Sequence, residues 1–165
     1  MDTIKNAIIE HIHNIYKNFN ISYIFHEKDD AFTHETTIKG YITKVFETVL
    51  VHSDGCTICT ALPFRADTEN TEAMERLAAF ISHENFTENG VIEMDYDTGE
   101  IHFKYYLDCA DIVPAEEDIV TALFIISVMI NQFTDTIFSI AYRGATCEEA
   151  SEQSLQKLFN LKNGF

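Results

Sequence analysis

A chain of 165 residues in which 46% are apolar and 13 are Phe is long enough to bury a core without disulfide or metal staples, which argues against disorder despite a formal net charge of −16. That charge, with no basic stripe to offset it, disfavours nucleic acid and anionic membrane surfaces as partners and favours a basic protein segment or a cationic ligand. The N-terminal residues lack the basic start and continuous apolar stretch of a signal peptide, and the longest apolar run, Ala122–Ile126 resumed at Val128–Ile130, is too short to span a bilayer. A cytoplasmic protein of bacterial type is therefore expected, with Cys56, Cys59, Cys109 and Cys147 reduced.

Residues 3–19 place Ile4, Ile8, Ile12, Ile15, Tyr16 and Phe19 nearly all three or four apart, which predicts a helix with one buried stripe. Residues 21–25 read as a short strand, and the polar segment 27–40 is ambiguous. Residues 43–52 and 56–62 read as two strands around Ser53-Asp54-Gly55, where Asp-Gly has the chemistry of a tight two-residue hairpin turn. Pro63 is expected to end the second strand, since it donates no ladder hydrogen bond. Asp67, Thr68 or Thr71 can cap the next helix, whose stripe is Met74, Leu77, Ala78 and Ile81, and the polar segment 83–90 ends it.

A hairpin follows with Thr98-Gly99 as its turn. Ile92, Met94, Tyr96, Ile101, Phe103, Tyr105 and Leu107 then share one face, and Glu93, Asp95, Glu100, His102 and Lys104 the other. Pro114 and the acids 116–118 mark the start of a long helix, because proline suits the first turn and carboxylates its positive end. It is expected to run to about Phe133, with a second stretch from Thr134 through Tyr142. Its middle is apolar nearly all round, so it is buried on more than one side, by sheet and helix or by a second subunit. Arg143-Gly144 closes it, and a last helix spans about 146–160, with Leu155, Leu158, Phe159 and Leu161 free to dock. The whole chain, 1–165, reads as one α+β domain: an antiparallel sheet packed against helices, in the order α-β(3)-α-β(2)-α, with residues 145–165 as a C-terminal helical extension.

The segment 76–144 resembles the bacterial YbjN-like family, often labelled sensory transduction regulators, which has the fold of type III secretion chaperones. The resemblance rests on Leu77 and Asn85 before Gly90, on Asp95-Tyr96-Asp97 and Gly99, and on the strand Glu100–Leu107. The acids Glu116-Glu117-Asp118 and the terminal Tyr142-Arg143-Gly144 complete it. It implies an α+β fold, a structural role for the Tyr-Asp-Thr-Gly turn, and protein binding or dimerisation. It carries no catalytic residue onto this chain.

Chemical motifs are weak by comparison. An EF-hand needs its third ligand immediately before the glycine, but Gly99 itself occupies that ligand position, and strands flank the loop instead of helices. Cys56-x-x-Cys59 is half of a zinc site, yet residues three apart on a strand point to opposite faces, so only a distorted turn could bring them together with His52. His83-Glu84-Asn85-Phe86-Thr87 has threonine where a zinc hydrolase needs its second histidine, and Asn85-Phe86-Thr87 fits the glycosylation pattern by chance. His11 and His13 are too close along a helix to share one face. No nucleophile elbow, phosphate loop or dinucleotide fingerprint occurs.

The sequence therefore points to a non-enzymatic protein-interaction or regulatory module with no cofactor. It would pair as a homodimer or accept a partner's basic or amphipathic segment through Ile119, Leu123, Phe124, Ile126, Met129 and Phe133 of the long helix. The alternative is a metal-binding protein or enzyme using His52, Cys56 and Cys59.

Overall fold

The computed structural model describes residues 2–83, 89–109 and 112–163. In chain order the elements are α1 (Asp2–Asn18), β1 (Tyr23–His26), β2 (Ala31–Thr37), β3 (Lys44–Val51), β4 (Gly55–Arg65), α2 (Thr71–His83), β5 (Gly90–Met94), β6 (Glu100–Asp108), α3 (Glu116–Arg143) and α4 (Cys147–Asn163). The fold is α+β, as the residue patterns predict. The strands form one antiparallel sheet in the order β1-β2-β3-β4-β6-β5, so β4 joins an N-terminal meander to the β5–β6 hairpin.

Strand alternation assigns the two faces. Phe32 and His34 on β2, Val45, Glu47, Val49 and Val51 on β3, and Cys56, Ile58 and Thr60 on β4 point toward the helices and are buried. The opposite parity leaves Ile24, Phe46 and Tyr106 exposed. α1 lies against β3 and β4, α3 against β4 and β6, and α2 against β5. α3 supplies much of the core: Ile119, Ile126, Met129, Phe133, Ile137 and Ile140, three, four or seven apart, are all at most 3% exposed.

Four expectations need correction. The ambiguous segment 27–40 contains β2, so four strands precede α2 where three were predicted; its Thr-rich sequence AFTHETT carries few apolar residues because two of its inward positions are polar. Pro63 does not end β4. The pairing with β6 shifts register between Ala61 and Arg65, and pairing with β3 extends only to Thr60, so the missing N–H falls where the ladder is already interrupted. α3 is one helix through Thr134, whose hydroxyl donates to the Ile130 carbonyl (2.6 Å) within the helix instead of breaking it. Phe19 leaves the α1 stripe because the helix stops at Asn18, and it is 62% exposed.

The first hairpin turns at Ser53-Asp54, with the His52 N–H donating to the Gly55 carbonyl (2.8 Å). Gly55 is needed for a different reason from turn chemistry: a Cβ there would lie 2.1 Å from the Leu107 carbonyl oxygen of the neighbouring strand. α3 ends as expected, on Gly144 in the left-handed conformation. With 28 residues and a mean hydropathy of 1.5 over its most apolar window, α3 as a whole is long and apolar enough to cross a membrane, which the interrupted run hid; in this fold the apolar side chains on one side of it belong to the core of the domain, while Phe124 and Val128 are exposed. Residues 84–88, with the glycosylation pattern and the end of the zinc-hydrolase near miss, lie outside the described residues, as do the side chains of His83, Leu158, Phe159 and Leu161.

Candidate functional site

The end of α1, the inward face of β2–β3 and the middle of α3 enclose a groove of about 610 Å³. Its position follows from local structure. α1 stops at Asn18, Asn20 adopts a left-handed conformation (φ 54°), and the Ile21 N–H donates back to the Tyr16 carbonyl (2.8 Å), so the chain reverses at one end of the groove. Tyr16 sits in the last turn of α1. His34 and Glu47 are directly paired across β2 and β3, both on the inward parity, and Leu123, Phe124 and Ser127 of α3 form the other wall.

The base is polar and buried. Tyr16 and His34 meet through the hydroxyl and Nδ1 (3.1 Å); His34 Nε2 lies 3.1 Å from the Thr36 hydroxyl and 3.4 Å from Glu47 Oε1. Glu47 is 1% exposed, and among the described residues its Oε2 has no hydrogen-bond partner, nor has the hydroxyl of Thr60, the residue opposite it on β4. Burial sets the charge state of each group. It pushes the Glu47 carboxyl up to about 8, lowers the His34 imidazole below its ordinary value, and raises the Tyr16 hydroxyl, with the negative form of Glu47 adding to that last effect. At neutral pH His34 and Glu47 therefore face each other as neutral groups: neither gains enough from the other to offset losing water. Tyr16 keeps its proton, and its hydroxyl, the two imidazole nitrogens of His34, the Thr36 hydroxyl and the Glu47 carboxyl form one connected polar chain.

The walls set Phe19, Ile21, Leu123 and Phe124 beside the short polar side chains of Asn20, Ser22 and Ser127. Leu123 is half-buried and Phe124 is 68% exposed at the mouth, with Ile21 and the exposed ring of Phe19 at the end of α1. Glu35 lies on the rim, where its carboxylate accepts a hydrogen bond from Lys44 (2.7 Å).

Of the α3 residues singled out from sequence, only Leu123 and Phe124 reach this groove. Ile119, Ile126, Met129 and Phe133 are buried in the core beneath the sheet-facing side of the helix. In the sequence Tyr16 is one apolar member of a helical stripe, and neither His34 nor Glu47 belongs to a recognisable motif. The signal for them was parity: Glu47 falls between Val45 and Val49 on the inward positions of β3, and His34 follows Phe32 on those of β2.

The other chemical candidates come apart. Cys56 points inward, and burial, reinforced by Cys109, pushes its thiol up to about 12. Cys59 faces the opposite side of the sheet, 3.7 Å from His102, while exposed His52 shares a hydrogen bond with Thr57 (2.9 Å). The three side chains named for a hairpin metal site thus have three separate surroundings. Among the described residues no three His, Cys, Asp or Glu side chains are grouped as metal ligands. In the second hairpin, Asp95 accepts hydrogen bonds from the backbone N–H groups of Asp97 (2.9 Å) and Thr98 (2.8 Å), which hold its carboxyl below the usual range. Gly99, at φ 73°, closes the loop onto the Asp95 carbonyl. The turn spans residues 95–99, wider than Thr98-Gly99, and Tyr96 is carried out of the apolar face to 75% exposure.

No known protein-family profile matches the chain, and no curated protein matches it in sequence. The fold is similar to the crystal structure of YbjN from E. coli, described as a candidate transcription regulator, with a TM-score of 0.51 and 8% identity over 76% of this chain and 90% of that one. The resemblance seen in the sequence is thus a relation of fold.

Proposed function

We propose that the protein is a non-enzymatic interaction or regulatory module of the cytoplasm, whose groove between α1, β2–β3 and α3 accepts an amphipathic, basic segment of a partner protein. The observation that carries this reading is the apolar lip formed by exposed Phe124 and Phe19 with half-buried Leu123 around the groove. An aromatic ring at the mouth of an apolar slot is the kind of anchor that dominates peptide docking. The net charge of −16 would speed encounter with a basic segment and weaken it as salt rises. The regulatory half of the reading draws on the fold neighbour.

The test is fluorescence anisotropy with labelled basic amphipathic helical peptides, scrambled and acidic versions serving as controls. Binding that requires the amphipathic order and is lost in Phe124→Glu, with unfolding unchanged, supports the reading. Equal binding of scrambled peptides, or binding indifferent to Phe124→Glu, removes it. Sedimentation equilibrium on the same two proteins covers the homodimer: a dimer dissociated by Phe124→Glu assigns the lip to a second copy of the chain.

A further inference from the structure

We infer that the base of the α1/β2–β3/α3 groove is a binding site for the ammonium group of an aliphatic primary amine, with Glu47 as its counter-ion and Leu123, Phe124 and Ile21 enclosing the alkyl stem. This goes beyond the docking of a partner segment, and it does not depend on it. Glu47 Oε2 is a buried carboxyl oxygen with no partner, and the hydroxyl of Thr60 beside it is equally unpaired. Polar groups left this way carry a standing penalty that a ligand with hydrogen-bond donors removes. The described residues lining the groove include Glu35 and Glu47 but neither Lys nor Arg, and Lys44 at the rim is engaged with Glu35, so Glu47 is left open to a cationic ligand. An ammonium carries three donors on a slim apolar stem, matching a polar floor under apolar walls.

The groups facing Glu47 define how protons move on binding. β2 presents His34, α1 presents Tyr16, β4 presents Thr60 and, near Tyr16, Cys56; β1 presents Tyr23 against Tyr16, α3 presents only Leu123, Phe124 and Ser127, and Glu35 stands at the rim. Glu47 holds its proton at neutral pH, so an incoming ammonium converts it to carboxylate and one proton leaves to solvent. Affinity must then climb with pH and level off above about 8.

The experiment is calorimetric titration of the full chain with n-hexylamine, with 1-hexanol and hexanoate as controls, in two buffers of different ionisation enthalpy. The expected result is binding of hexylamine alone, release of about one proton per amine at pH 7, and a loss of about ten- to a hundredfold in Glu47→Gln. Ser127→Phe, which adds bulk to the groove from the α3 wall and leaves Glu47 in place, should abolish binding and guards against a folding defect in Glu47→Gln. Nα-acetyl-lysine N-methylamide separates the sources: its binding extends the site to lysine side chains of a protein, while its exclusion confines the site to free amines. Equal binding of hexanol, an unchanged affinity in Glu47→Gln, or no binding of hexylamine overturns the inference. Peptide binding that depends on Phe124, together with no binding of hexylamine, would overturn it while leaving the interaction module standing.

Discussion

Replacing Glu47 with Gln keeps the side chain's volume and removes its titration, so it isolates one buried proton. In the unfolded chain Glu47 ionises near 4.5; in the fold burial holds the proton until about 8. The sign is opposite to that of a salt-bridged carboxylate. Over that interval the folded state binds the extra proton, so the stability contributed by Glu47 is complete below the lower value and is lost as pH rises to the upper one. The interval corresponds to about 4–5 kcal/mol of stability, an upper bound if water enters the groove once the carboxyl ionises. His34 works in the other direction: its lowered value means that stability is lost as pH falls below the ordinary histidine range. The two slopes oppose each other where both groups titrate, so the loss due to Glu47 emerges above about pH 6.5. Urea unfolding followed by circular dichroism from pH 5 to 9 should show the wild type weakening toward alkaline pH while Glu47→Gln stays nearly flat above about pH 6.5 and keeps only the acid-side loss due to His34. At pH 8.5 the variant should be the more stable protein by several kcal/mol, on the order of the figure above. Parallel profiles for the two proteins, or a variant much weaker than wild type at pH 8.5, would refute the reasoning, the second result pointing to an ionised Glu47 that the fold stabilises.

Other substitutions check the remaining structure. Phe133→Ala should cost about 3–5 kcal/mol in chemical denaturation, because the ring is 1% exposed in the core, whereas Phe124→Ala should fall within about 0.5 kcal/mol of wild type. Gly55→Ala should destabilise by about 2 kcal/mol or more, since its Cβ would lie 2.1 Å from a backbone oxygen of the paired strand; a neutral result would mean that β4 and β6 are further apart than described. Asp95→Ala should lower the thermal midpoint modestly at neutral pH, and the wild type's advantage should vanish as pH falls through the depressed value of the Asp95 carboxyl. Millimolar calcium should leave the midpoint of the wild type unchanged, because the backbone of the turn already occupies Asp95.

Much of the fold was legible because period and parity are local properties. The stripe of α1, the stripe of α2 and the alternation of β6 can each be read from the residues concerned, and the capping glycine of α3 follows from the end of its apolar pattern. What escaped required knowledge of neighbours. β2 reads as polar because the residue that satisfies His34 is across the sheet on β3 and on α1. Pro63 is tolerated only because the register shifts beside it, and Gly55 is a matter of how closely β6 approaches. The α3 residues were chosen for apolarity alone, which does not distinguish the core side, with Ile126 and Phe133, from the groove side, with Leu123 and Phe124. The polar floor was visible only as an anomaly of parity, and its meaning depended on three elements meeting.

The position of β4 also bears on how the molecule opens. It is the one strand held by ladders to both halves of the sheet, and α1 and α3 lie across it, whereas β1 and β5 each have a single paired neighbour. Amide protons in its middle, from Ile58 to Thr60, can then exchange with solvent only when the whole domain unfolds, while those at the two outer strands escape through smaller fluctuations. Deuterium uptake along the sheet should fall from each edge toward this centre, and the slowest amides of β4 should report the same free energy as chemical denaturation.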